Sequence, residues 1–226
     1  MKKFVLAAVV ATVFGSAALA APPPPFSWTG FYVGANVGYG NGHLNIFEDC
    51  QDCAPNPIFP MGNFNPAGAV GGVQAGYNYQ MSNYLLGVVA DIDYTDVKVG
   101  QQGDNNGYIH TVNYHWLASA RGRAGVIYGS TMFFATGGAA FANIHHSSLN
   151  PQGSDATTTK TGWVVGGGAE LALENGWTLI GEYLHFSFGE TVVHGDFTPV
   201  RPIFFHYEKE TVDVLRIGMN YKVSPR

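Results

Sequence analysis

Charge is scarce in this chain: Asp, Glu, Lys and Arg together make up 12% of its 226 residues, about half the usual globular share. A surface so poor in charge is badly suited to water. The formal net charge is −5, so nucleic acid has no electrostatic attraction to the chain and is excluded as a general partner. Beyond the first twenty residues no run reaches about 18 continuous apolar residues, which excludes a transmembrane helix in the mature chain. Helix-period segments of useful length are missing as well. No phosphate-cradling loop follows a strand and opens a helix, so the 30 glycines do not indicate nucleotide binding. A membrane role would have to use strands.

What is present begins with a leader. Lys2 and Lys3, an apolar stretch and the small-residue exit Ala18-Leu19-Ala20 read as a secretory signal over 1–20, cleaved near Ala20. Its removal takes the formal charge from −5 to −7. Residues 21–28, "APPPPFSW", are expected to form a stiff Pro-rich tether outside any core. The remaining bounds are a barrel over 29–223 and a tail over 224–226.

From Thr29 onward extended segments recur near 29–41, 67–80, 83–97, 111–127, 131–146, 160–174, 176–191 and 208–222, an even eight. The links alternate in length. Those after the second, fourth and sixth segments are short, "QMSN", "YGST" and "ENG", whereas the others are long and polar, covering 42–66, 98–110, 147–159 and 192–207. Short turns on one side and long loops on the other predict an all-β fold, a transmembrane eight-stranded antiparallel up-and-down barrel with periplasmic turns and extracellular loops.

Period-two alternation then sorts the side chains. Asp91 and Asp93, Arg121 and Arg123, Glu170, Glu182 and Arg216 all fall on one parity, opposite residues such as Leu86, Val88, Trp163, Leu215 and Ile217. Facing lipid, each charge near the midplane would cost a few kcal/mol; facing the lumen, opposite charges can pair. We therefore expect a salt-bridged, plugged lumen with Gly34, Gly38, Gly72, Gly76, Gly166 and Gly168 relieving crowding. Aromatics near strand ends, Trp28, Tyr39, Tyr94, Trp116, Trp163, Trp177 and Tyr221 among them, suit interfacial girdles. The fifth segment, "TMFFATGGAAFANI", is apolar on both parities and its faces stay unassigned.

Residues 27–41, "SWTGFYVGANVGYGN", resemble the first strand of the small outer-membrane immunogenic proteins of alpha-proteobacteria, a porin-like family of eight-stranded barrels related in fold to the OmpA membrane domain. The likeness continues through "VGGVQAGYNYQ" (70–80), "SARGRAGVIYG" (119–129), "FATGGAAFANI" (134–144), "TGWVVGGGAEL" (161–171), "GEYLHFSFG" (181–189) and "LRIGMNYK" (215–222). This resemblance implies a Gram-negative outer-membrane location, outer-membrane lipids and lipopolysaccharide as surroundings, insertion by the barrel assembly machinery, and a structural or interaction role. Barrels of this kind usually end on an aromatic residue, whereas Val223 follows "NYK" here and Ser224-Pro225-Arg226 trail behind.

Cys50 and Cys53 in "EDCQDCAPNP" are the only cysteines; an oxidising compartment favours a small disulfide between them. Metal ligation, with His43, Asp49 and Asp52 as the nearest candidates, and free thiols are the alternatives. His145 and His146 close the fifth segment and read first as polar rim residues, secondly as haem or surface-ligand contacts. His145 and Ser147 also mimic the His-x-Ser motif of lipid A deacylases, though no acid partner to orient the histidine is visible in sequence. A glycosidase-like use of the four lumenal carboxylates needs an open cleft, which a plugged lumen denies. The expected protein is not an enzyme and carries no cofactor. It is an envelope barrel with a surface-interaction role and at most a narrow porin-like channel, with a haemin or host-molecule receptor and a lipid A modifying hydrolase as alternatives.

Overall fold

The computed structural model describes residues 26–50, 58–103, 109–149, 154–189, 191–196 and 202–223. The leader, the prolines of the tether and the tail 224–226 lie outside these residues. Strand dominates: β1 Gly30–Cys50, β2 Ile58–Phe64, β3 Ala67–Met81, β4 Tyr84–Thr95, β5 Lys98–Gly103, β6 Ile109–Tyr128, β7 Thr131–Leu149, β8 Ser154–Ala172, β9 Trp177–Phe188, β10 Thr191–Asp196 and β11 Pro202–Lys222. Eight of them, β1, β3, β4, β6, β7, β8, β9 and β11, pair antiparallel in that order, and β11 returns to β1 through pairs such as Val33 with Tyr221 and Gly38 with Arg216. Closure leaves no unpaired strand edge within the membrane band, the condition a spanning sheet must meet.

The short connections fall where expected. Ser82, Asn175, Gly129 and Gly176 adopt φ of 56°, 58°, 62° and 83°, the left-handed backbone that tight reversals use. The long connections differ from expectation. Segments expected to be loops continue as strand: β2 pairs with the outer end of β1, β5 with β6, and β10 with β11. The physical reason is a hydrophobic alternation that runs on past the membrane. Leu44, Phe64, Val97, Val99, Val112, Ile144, Phe188 and Val212 all point inward and are buried.

Parity also settles the fifth segment, now β7. Met132, Phe134, Thr136, Ala140, Ala142 and Ile144 are buried in the lumen while Phe133 and Phe141 are exposed on the outer face. Outside, Val37, Val88, Ile92, Leu215 and Ile217 form an apolar band, with Tyr84, Tyr128, Trp177 and Tyr221 exposed toward the short-turn end and Tyr39, Tyr94 and Trp163 toward the other. That distribution suits lipid and two aromatic girdles.

One expectation is corrected at the chain's entry. Trp28, assigned by sequence to the tether and the girdle, is 3% exposed and packs with Leu85, Met132, Phe134 and Ile180 at the periplasmic end of the lumen. Trp28 shares the inward parity of Gly30 and Tyr32, so extending β1 backwards by two residues drives the indole into the barrel mouth. The tether's end is thereby pinned, with Trp28 N–H donating to Gln80 Oε1 at 2.9 Å and Lys222 Nζ donating to the Ser27 carbonyl at 2.6 Å. The lumen is thus layered: an apolar plug around Trp28 below, an upper apolar core around Phe64, Tyr114, Phe186 and Phe188, and a charged layer between.

Candidate functional site

The charged layer contains every lumenal residue expected from the sequence. Asp91 and Asp93 come from β4, Arg121 and Arg123 from β6, Glu170 from β8, Glu182 from β9 and Arg216 from β11, and each is buried. Register places Arg216 directly across from Glu182, and Asp91 across from Ser119. Arg216 Nη2 donates to Glu182 Oε1 at 2.9 Å, while its Nη1 reaches Asp93 Oδ2 at 2.5 Å and Asp91 Oδ1 at 3.1 Å. Arg121 completes the ring, with Nη2 to Asp91 Oδ2 and Nη1 to Glu182 Oε2 both at 2.8 Å. Two guanidinium forks are therefore held by three carboxylates, and their side chains are only 1–3% exposed.

Below this ring stands a second unit. Arg123 Nη2 donates to Glu170 Oε2 at 2.7 Å and its Nη1 to the Tyr32 hydroxyl at 3.0 Å. The other oxygen of Glu170 accepts from Thr178 Oγ1 at 2.5 Å and Asn220 Nδ2 at 2.8 Å. Removing so many charges from water is expensive, and the network holds only because nearly every fork and carboxylate has several partners. The planar forks of arginine suit such shared acceptors.

Glycine makes the geometry possible. A Cβ at Gly38 would overlap the Leu215 carbonyl and Arg216, one at Gly72 the Ile92 carbonyl and Asp93, and one at Gly168 the Gly181 carbonyl and Glu182. Those bare backbone positions let Arg216 cross β1 and β3 to the acids of β4. Among the described residues the lumen contains small voids, one lined by Tyr32, Gln74 and Arg121 and another by Trp28, Asn78 and Glu170, each about 10 Å³. Neither is roomier than one water molecule.

Sequence reasoning missed one buried pair. Lys160 Nζ donates to Glu210 Oε2 at 2.6 Å, with side chains 6% and 0% exposed, at the outer end of the lumen beside the upper apolar core. Both residues sit on the inward parity, so the signal was available. Tyr32, Thr178 and Gln74 were also missed as partners, because hydroxyl and amide side chains are unremarkable in a strand.

The rim histidines resolve differently. His145 Nδ1 lies 3.0 Å from Thr157 Oγ1, and its ring stacks on His115 at 5.8 Å between centroids. His115 occupies the bulge between Tyr114 and Trp116, which no periodicity argument anticipates. The side chains of His146 and Ser147 and of Cys50, together with all of Cys53, lie outside the described residues, and with them the expected disulfide and the His-x-Ser alternative at that place. Among the described residues no group of three or more His, Cys, Asp or Glu is arranged to hold a metal ion.

Residues 6–222 match the family described as the outer membrane protein beta-barrel domain. The 31 kDa outer-membrane immunogenic protein of Brucella melitensis is 34% identical over 232 residues, covering 96% of this chain and 92% of that protein. The 22 kDa outer membrane protein of Rhizobium leguminosarum is 29% identical over 71% of this chain and 64% of that protein. Among solved structures, the outer membrane protein OprG from Pseudomonas aeruginosa superposes with a TM-score of 0.52 at 8% identity, covering 86% of this chain and 98% of that one, a likeness of fold alone.

Proposed function

The chain belongs to the outer membrane protein beta-barrel family and resides in the Gram-negative outer membrane, and from that premise we propose that it is a non-conducting envelope barrel whose work is done on its outside. The observation that carries this reading is the filled lumen. Among the described residues, apolar plug, ion network and upper core follow one another along the axis, and the voids beside Arg121 and beside Trp28 are about 10 Å³ each. A hydrated ion finds no continuous path past Arg121 and Arg216. The scaffold stabilises the membrane and carries its extracellular strand extensions as a surface for interaction. Among the described residues no acid–base pair in the lumen is reachable by a substrate, which supports a non-enzymatic role there.

Heat-modifiability on a denaturing gel, paired with planar-bilayer recording, tests the proposal. A band that shifts on boiling together with negligible current is the expected result. A boiling shift with steady single-channel current would refute the sealed lumen.

A second reading, surface-ligand capture at the rim, is favoured by one observation: His115 joins His145 in a stacked pair, with the interplanar angle only 14°. Titration of haem into the purified barrel tests it. Affinity lost in the double variant His115→Ala, His145→Ala supports capture, and unchanged affinity removes it.

A further inference from the structure

The outer face of β11 is apolar through Met219, Ile217 and Leu215, and then presents Asp213. A carboxylate is out of place on a lipid-facing wall unless it lies near the headgroups, where the cost of a charge becomes small. Its height agrees. Asp213 stands eight residues above Tyr221; at about 3.3 Å per residue and a tilt near 40° that is about 20 Å, close to the top of an apolar band about 25 Å tall.

Asp213 is also built into a cluster. One oxygen, Oδ1, accepts from the Tyr183 hydroxyl at 2.6 Å and lies 2.7 Å from His185 Nδ1. Register sets His185 directly across from Asp213 on one side and Asn41 across from it on the other. The Trp163 ring lies 5.6 Å from the His185 ring, and the side chains of His185 and Asp213 are 32% and 45% exposed. The histidine is thus oriented by a carboxylate through Nδ1, which leaves Nε2 directed away from that bond, and two aromatic rings flank the polar centre.

We propose that Asp213, His185, Tyr183 and Trp163 form a binding site for the sugar headgroup of an outer-leaflet glycolipid. Carboxylate and imidazole bond sugar hydroxyls and amide N–H groups, while aromatic faces take the apolar face of a sugar ring. The acyl chains then run down the wall beside Leu215, Val165 and Ile217. The cluster contains a carboxylate and no lysine or arginine, so what it recognises is the sugar ring with its hydroxyl and amide groups and not the phosphate that lipopolysaccharide and phosphatidylglycerol share. The inference rests on the reading of the chain as an envelope barrel whose outer wall meets lipid.

The test uses the full mature barrel in phosphatidylcholine nanodiscs doped with purified lipopolysaccharide, phosphatidylglycerol or nothing, with retained lipid counted by native mass spectrometry. Lipopolysaccharide should stay bound to the wild type and be retained about tenfold less by Asp213→Asn and by His185→Ala, the effect of one lost charged hydrogen bond. Millimolar free glucosamine should not displace it, because the chains supply part of the affinity. Equal retention by wild type and both variants, or equal retention of phosphatidylglycerol, overturns the site. Displacement by free glucosamine overturns the glycolipid as its occupant. Release of fatty acid dependent on His185 and the adjacent outward Ser187 would replace binding with acyl transfer. Heat-modifiability of each variant separates these outcomes from failure of the barrel itself: a lost boiling shift in the wild type sinks the membrane reading, while an intact shift with lost retention supports the site. Where a variant loses its own shift, Asp213→Glu, which keeps the charge, is read in its place against the wild type.

Discussion

Replacing Arg216 with Met tests the lumenal network at its most connected point. Arg216 bonds three carboxylates, Asp91, Asp93 and Glu182, at 3.1, 2.5 and 2.9 Å. Methionine roughly fills the stem of the arginine but leaves Asp91, Asp93 and Glu182 with Arg121 as their one remaining guanidinium in the ring. Removing one partner of a buried pair costs about 3–5 kcal/mol, since the penalty is that of an uncompensated buried charge. With a urea dependence of about 2 kcal/mol per molar, the unfolding midpoint should fall by about 2 M. Tryptophan fluorescence of the barrel in detergent or small vesicles reads that midpoint. Asp93→Asn alone should cost less than about 1 kcal/mol, because the amide keeps the shape and an acceptor oxygen while cancelling the excess negative charge. Combined with Arg216→Met it should recover more than about 1 kcal/mol, a coupling measurable in a double-mutant cycle. An unchanged midpoint for Arg216→Met would show that water reaches these side chains and that the lumen is not sealed.

Further expectations follow from the same geometry. Gly168→Val forces a side chain into the Gly181 carbonyl and Glu182, so folding yield by gel shift should drop and stability should fall by about 1–3 kcal/mol. Lys160→Met breaks the buried pair with Glu210 at the outer end of the lumen, and limited proteolysis should show faster cleavage at the extracellular end while the membrane band stays protected. Trp28→Ala empties the periplasmic plug, which should cost about 3–5 kcal/mol and leave the current in planar bilayers negligible, because the ion layer above it stays closed. Cys50 and Cys53 should resist maleimide until a reductant is added, as a disulfide requires.

Period-two alternation made the inward set legible because the lumen admits one parity only, and all seven expected charges lie there. Which acid meets which arginine was not legible. Pairing across a barrel depends on strand stagger and on what lies between, and Arg216 reaches β4 only because Gly38 and Gly72 leave the intervening wall bare. Lys160 and Glu210 were overlooked because charges at strand ends ordinarily meet water. The inward place of Trp28 is masked in the sequence by the prolines that precede it, and only its shared parity with Tyr32 points into the lumen. The extracellular strands were hidden by polar composition on one face, while Leu44, Val97, Val99 and Val112 continued the alternation on the other.

Layering also has a consequence for register. A one-residue slip between neighbouring strands turns the inward set toward lipid, and an apolar lumen alone would penalise it. A two-residue slip keeps parity, and an all-apolar lumen would tolerate it. Here such a slip of β11 against β9 would set Arg216 opposite Leu184 or Ile180 in place of Glu182, burying a guanidinium in an apolar layer and leaving a carboxylate behind. Charges that appear costly as stabilising elements thus discriminate against the misfolded registers that hydrophobicity cannot distinguish. The same residues that close the pore also fix which strand positions meet.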